Sequence, residues 1–253
     1  MGKRTKLLLV KALKRIISVT WLVIFFYSMA SVSFKLYAEI VDPSKYDSYF
    51  LWAGVKPQPT LDNAETIYIH AGEVRMNDNT QIVDMRAGVP RINHANIWMT
   101  LRVERIDWSE QVYNQMLAKL SRWEGKQKHF QGVQIDFDAA TLNLKGYAVF
   151  LKELRRRLPE RYQLSITGLM DWSASGKTSA LSSLSEVVDE IVIQTYQGLD
   201  TITNYNDYLL TLNRIRFPYR IALVQGGDWL PTTNFKMDSF FKGYVVFLVN
   251  PNL

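Results

Sequence analysis

The chain predicts an α/β fold: a small (β/α)8 TIM-type barrel, incomplete in its outer helices and preceded by an N-terminal transmembrane helix. Three observations predict it. Eight short apolar runs of strand length follow one another between residues 49 and 249. Helical apolar spacing fills several of the intervals between them, the alternation that marks βαβ units and a parallel sheet. No Gly/Ser linker or low-complexity run divides residues 46–253, so about 200 residues share one core, near the small end for this architecture.

The chain opens with Lys3, Arg4, Lys6, Lys11, Lys14 and Arg15 and no acid. The net charge is +6, and these six cations account for it, leaving 24 basic against 24 acidic residues. The basic character is therefore topogenic and not the footprint of a nucleic-acid partner. Residues 16–34 (IISVTWLVIFFYSMASVSF) carry no charge and are long enough to cross a hydrocarbon core of about 30 Å as a helix. The flanking charge orients residues 1–15 to the cytoplasm and the body of the protein across the membrane, in the periplasm of a bacterium. Ser28-Met29-Ala30 also offers small residues at cleavage-site spacing, so a signal peptide and an anchor both fit. Absence of cysteine excludes disulfides and thiolate metal sites.

The expected strands are Tyr49–Gly54, Thr66–Val74, Asn96–Val103, Gly132–Asp138, Tyr162–Gly168, Glu190–Tyr196, Tyr219–Gln225 and Gly243–Val249. Between the third and fourth, Val112, Tyr113, Met116, Leu117 and Leu120 fall at helix spacing, with Asp107 and Glu110 placed as a capping box. After the fourth, Tyr147, Phe150, Leu151, Leu154 and Leu158 share one helical face, and Pro159 follows it. Leu181, Leu184, Val187 and Val188, then Tyr205, Tyr208, Leu209 and Leu212, suggest two further faces. Little between strands one and three reads as helix, and the chain stops soon after strand eight, so the outer ring is expected to be thin there. An open doubly wound sheet would usually carry a Gly-rich turn after its first strand, and none is present.

The fourth strand carries the chemistry. From Val133 to Asp138 the residues alternate strictly, placing Gln134, Asp136 and Asp138 on one face. Carboxylates two residues apart on a strand have Cβ atoms about 6 to 7 Å apart, close enough to perturb each other's ionisation. Such a pair points to catalysis or ligand binding, while an edge strand with its acidic face in water shows the same alternation. In a parallel barrel the site lies at the C-terminal ends of the strands. The residues expected there are His70 and Glu73, Thr100 and Arg102, Ser165 and Thr167 with Asp171-Trp172, Gln194 and Tyr196, and Asp228-Trp229. Acids and amides with tryptophans at a rim suit a sugar, whose rings stack on aromatic faces and whose hydroxyls need polar partners. Arg102 paired with Asp136 as structural support is the plainer alternative. His70, His94 and His129 lack ligand spacing, and Gly176-Lys177-Thr178 lacks the first glycine of a phosphate-binding loop, so neither a metal nor a cofactor is expected.

Gln131 to Asp138 (QGVQIDFD) resembles the fourth-strand motif DGxDxDxE of the family-18, chitinase-like glycoside hydrolases. In that register Gly132 matches the glycine, Asp136 the last aspartate, and Asp138 stands where the family has its acid/base glutamate. Gln194-Thr195-Tyr196 resembles that family's Met-x-Tyr, whose tyrosine steadies the reacting N-acetyl group. Gln131 and Gln134 replace two aspartates, and Asp138 is one methylene shorter than glutamate. The longer pattern GVQIDFDAA, KGYAVFLKELRRRLP, LSITGLMDW, VDEIVIQTYQ and FPYRIAL is similar to the bacterial family catalogued as domain of unknown function 3142, regarded as glycosidase-like barrels. The resemblance implies a glycoside hydrolase acting on a polysaccharide or peptidoglycan, with Asp138 as acid/base and Asp136 as its charge-stabilising partner. Gln134, Gln194, Tyr196, Arg102, Asp171, Trp172 and Trp229 are then expected to bind substrate. A barrel that grips a carbohydrate without cleaving it, or an envelope scaffold, is the alternative, and Asp138 in place of glutamate favours the binding barrel.

Overall fold

The computed structural model describes residues 38–137, 144–174 and 183–250. The apolar segment 16–34, Leu181 and the acid Asp138 lie outside these residues, while Leu184 and Val188 of the same expected face are buried in the outer core. Among the described residues no helix is long and apolar enough to cross a membrane.

Eight parallel strands form the barrel: β1 Ser48–Leu51, β2 Thr66–Val74, β3 Asn96–Val103, β4 Phe130–Asp136, β5 Gln163–Leu169, β6 Glu190–Gln194, β7 Tyr219–Val224 and β8 Phe241–Phe247. Each pairs in parallel with its neighbour, and β8 pairs in parallel with β1, which closes the barrel. Closure leaves no exposed edge among the eight. The fourth strand begins and ends two residues earlier than its alternation suggested, and Phe137 just beyond it packs on Tyr147 with ring centroids 5.1 Å apart.

Two periodicities divide the apolar residues. On the outer face Ile67, Ile69, Ile97, Met99, Leu101, Val133, Ile135, Leu164, Ile166, Ile191 and Ile193 are fully buried in one continuous core beneath the helices. Each such side chain stabilises the fold by about 1.5–3 kcal/mol relative to an exposed one. On the inner face Phe50, Tyr68, Trp98, Val192, Ala222 and Val245 form a second, separate cluster. The strands thus alternate between two cores, as a barrel requires.

Helix α1, Glu110–Glu124, and helix α2, Leu144–Arg157, cover the outer face with Val112, Tyr113, Met116 and Leu120, and with Tyr147, Phe150, Leu151 and Leu154. The expected capping box at the start of α1 does not form. Ser109 is the N-cap, Asp107 accepts a forked pair of bonds from Arg105 (2.7 and 2.6 Å), and Glu110 accepts two from Arg157 of α2 (2.6 and 2.5 Å). Charge-assisted bonds to arginine outcompete the weaker bonds of a cap. A single 3-10 turn, Pro59–Asn63, links β1 to β2, and only the short strand Val83–Asp84 lies between β2 and β3, paired antiparallel to β2. Another 3-10 turn, Phe235–Met237, lies between β7 and β8.

Gly132 is the one position in β4 that admits no side chain. Its φ is +154°, and a Cβ there would overlap the backbone carbonyl of Gln163 on β5. The pairing of β3 with β4 slips by one residue at this point, between Ile97 and Trp98. That close approach sets the register of everything above it on the strand.

Below the mouth the barrel interior is polar, and one carboxylate gathers it. Glu190 Oε1 accepts from the Tyr68 hydroxyl (2.6 Å) and the Ser165 hydroxyl (3.2 Å), and Oε2 accepts from Arg220 Nε (2.9 Å). Gln134 continues the chain, donating to Ser165 Oγ (3.1 Å) and accepting from Thr100 Oγ1 (3.2 Å). Burial and the adjacent Glu190 charge hold the Tyr68 phenol well above its usual range, so it stays a donor. Removing one member of a buried ion pair strands the other without solvent, at about 3–5 kcal/mol. Glu190→Ala is therefore expected to lower the unfolding free energy by about that amount in urea titrations of the full chain, and adding Arg220→Met is expected to recover part of it. A loss below about 1 kcal/mol would show that the pair is not a main support of the barrel.

Candidate active site

The same alternation that fills the interior aims a polar set at the C-terminal mouth. Arg102, Asp136, Thr167 and Gln194 occupy inward positions at or near the ends of β3 to β6, and all four line a cavity of about 600 Å³. Phe50 and Trp52 from the end of β1, Leu169 from β5 and Phe247 from β8 supply its apolar walls. A hairpin formed by Tyr196–Gln197 and Asp200–Thr201 overhangs it, and Tyr196, Gln197 and Gly198 complete the lining with Ile202. The volume lies within the range of small-ligand sites, and the mixture of aromatic walls with few polar groups is typical of them.

Asp136 is 8 % exposed, and its Oδ1 accepts a hydrogen bond from Thr167 Oγ1 at 2.8 Å. Arg102 lies between two carboxylates in the sheet register, opposite Glu73 on β2 and opposite Asp136 on β4. It forms no ion pair with either, so the structural pairing of Arg102 with Asp136 is not observed. Glu73 Oε2 instead accepts from Arg75 at 3.2 Å.

Behind Trp52 lies one of the residues expected at the mouth. His70 is 1 % exposed, and its ring stacks on the Trp52 indole at 4.5 Å with an interplanar angle of 20°. Its Nε2 stands 3.7 Å from Glu73 Oε1, and neither ring nitrogen has a hydrogen-bond partner among the described residues. Burial pushes the imidazole down to about 4; the Glu73 charge opposes this, and Arg86 and Arg102 add to it. His70 is thus neutral at physiological pH.

The expected substrate-binding set separates into two groups. Arg102, Asp136, Gln194 and Tyr196 surround the cavity. Gln134 does not line it: the residue is fully buried one layer below, its amide engaged by Thr100 and Ser165. Trp172 is not at the rim but 1 % exposed in the outer core, edge-on to Tyr147 at 6.1 Å. Trp229 is 7 % exposed, stacked on Tyr205 at 4.8 Å, while its backbone pairs with Glu39. Asp171 opens the short helix Asp171–Ala174 and does not line the cavity. A tryptophan just past a strand end gains more by burying its ring in the outer core than by standing in water, and sequence position does not distinguish the two. Trp52, Phe50 and Phe247 were missed as site residues, although the period of two in YFLWAG puts Phe50 and Trp52 on one face. Asp138 lies outside the described residues.

A closed parallel barrel with its polar cavity at the C-terminal face is the class of protein that this fold and site define. More particularly, residues 90–234 match the family described as Domain of unknown function (DUF3142), and the chain belongs to that family. No curated protein matches it. Among solved structures it is similar to the spore cortex-lytic enzyme SleL of Bacillus cereus (15 % identity, TM-score 0.46, 70 % of this chain and 49 % of that one). It is also similar to the chitinase RmChi1 of Rhizomucor miehei (13 % identity, TM-score 0.46, 70 % of this chain and 68 % of that one). The third is the chitinase domain of the spore coat protein CotE of Clostridium difficile (9 % identity, TM-score 0.48, 76 % of this chain and 67 % of that one). The chain spans about half the length of SleL.

The depressed His70 value has a consequence for stability. Between its ordinary value of 6.5 and about 4 the unfolded chain takes up a proton that the folded barrel refuses, so stability falls as pH drops through that window. His70→Gln is expected to remove a part of the slope on the order of 2 kcal/mol between pH 7 and pH 4, read as the difference between wild type and variant in urea unfolding at several pH values. Parallel slopes for the two proteins would show that His70 titrates normally.

Proposed function

We propose that the barrel is a glycoside hydrolase acting on a carbohydrate polymer. The observation that carries this reading is Asp136, a nearly buried carboxylate at the C-terminal end of β4, held by Thr167 in a cavity it shares with Gln194, Tyr196 and aromatic walls. Tyr196 and Gln194 are placed to hold hydroxyl or amide groups, and Trp52 offers a flat face to a sugar ring. Asp138 enters from the sequence alone, as the acid that protonates the glycosidic oxygen while the bond to the anomeric carbon breaks. Asp136 then stabilises the positive charge that develops there, or orients a neighbouring N-acetyl group of the substrate that attacks in place of an enzyme nucleophile. Water closes the reaction, delivering its hydroxyl to the anomeric carbon and its proton to the carboxylate.

The proposal includes a location. The basic first fifteen residues and the uncharged run 16–34 support a barrel held outside the cytoplasm by, or exported through, that segment. A second reading, a barrel that binds glycans without cleaving them, rests on the shorter acid at Asp138, which reaches less far than glutamate.

The full-length chain in detergent, as wild type, Asp138→Asn and Asp136→Asn, incubated with bacterial polysaccharides and peptidoglycan, separates the two. The hydrolase reading expects reducing ends from wild type, a loss of about 10²-fold or more in turnover for Asp138→Asn, and retention on the polymer within a few-fold. Wild type that is retained on a polymer yet releases nothing would leave the binding barrel in its place.

A further inference from the structure

Resting on the carbohydrate reading of this cavity, we infer that the sugar it receives is acidic, with a carboxylate seated on Arg102. Arg102 differs from the arginines of this chain that pair with acids. Arg105, Arg155, Arg157, Arg161 and Arg220 all hold carboxylates. Arg102 lines the cavity, is solvent-exposed, and has neither an ion pair nor a hydrogen bond from its guanidinium among the described residues. Its two neighbours in the sheet are acids, but Glu73 accepts from Arg75, and Asp136 accepts from Thr167. A planar guanidinium left open toward a cavity matches a carboxylate, which it binds through two parallel N–H···O bonds.

A second cation reinforces the first. Arg86 donates Nε to the His70 carbonyl (2.9 Å) and Nη2 to the carbonyls of Leu51 (2.9 Å) and Trp52 (3.2 Å). Its partners are neutral carbonyls, so its charge stands uncompensated behind the Trp52 wall, half-buried where solvent screens it little. The charged groups of this side of the mouth are thus Arg86 and Arg102, the Glu73–Arg75 pair and Asp136, with the imidazole of His70 neutral between them. The opposite walls, Gln194, Tyr196, Thr167, Phe50 and Phe247, bear no charge. An anion entering here meets positive potential beside an aromatic face, the arrangement that suits a ring with a carboxylate on it. Asp136 close by favours a single negative charge over the double charge of a phosphate ester.

The test compares binding of full-length protein to oligosaccharides of glucuronate, galacturonate and muramate with binding to the same oligosaccharides after their carboxyls are reduced to alcohols. The acidic forms are expected to bind about 10-fold tighter or more at low salt, with the preference shrinking as salt rises. Arg102→Gln is expected to abolish the preference without changing the thermal midpoint, and Arg102→Lys to retain part of it. Equal binding of acidic and reduced forms would overturn the inference and leave the carbohydrate reading standing. Binding of neither form by folded wild type would overturn both.

Discussion

A carboxylate buried in a barrel is largely cut off from water, so the oxygens of Glu190 must find donors on neighbouring strands. It finds them on Tyr68 of β2, Ser165 of β5 and Arg220 of β7, while Gln134 and Thr100 carry the chain to β4 and β3. Arg220 also reaches the Ser48 hydroxyl of β1 at 3.4 Å. Seven of the eight strands are therefore tied to one another through side chains in the interior. A slip of one residue in any of them turns a partner of this network out to the apolar face, leaving its neighbours buried and unpaired. Register in this barrel is specified from inside as well as by the outer core.

The mouth inherits that register. Gln134 and Ser165 are opposed in the pairing of β4 with β5 and bonded to each other. Two residues further along the same strands, Asp136 and Thr167 face the same way and repeat the contact one layer higher. The cavity floor is thus an extension of the structural network, and the orientation of Asp136 is set by residues that never meet a ligand. A side chain placed in this way takes its geometry from the sheet and not from a loop.

The walls differ in electrostatic character as well as in shape. Aromatic groups from β1 and β8 meet the hairpin after β6, whereas the β2–β3 side concentrates Arg86, Arg102 and the Glu73–Arg75 pair around a neutral His70. Outer helices are missing on the β1-to-β3 side, where a proline-led turn and a short antiparallel strand replace them, and between β7 and β8, where a 3-10 turn does. Arg86 follows that short strand, and its bonds to the carbonyls of β1 and β2 stitch the loop to the barrel end.

By itself the sequence determined the barrel: β2 and β3 fall on their expected residues, the other six strands lie within a few residues of theirs, and the thin stretch of the outer ring is where helical spacing is absent. It did so because the strand period of two and the helix period of 3.6 are local properties that burial on each face writes into the chain. The same period placed Asp136, Arg102 and Gln194 on inward positions, so this part of the mouth was legible. Only the tertiary structure decided which polar residues remain open to a ligand. Gln134 shares the parity of Asp136 yet is consumed one layer down, because depth along the barrel depends on shear and on the tight crossing at Gly132, which no single strand records. Trp172 and Trp229 went to the outer core and Trp52 to the cavity for a related reason. Where a loop turns after a strand is settled by long-range packing, and three tryptophans with similar local surroundings were sorted by contacts more than a hundred residues apart in places, not by their neighbours in sequence.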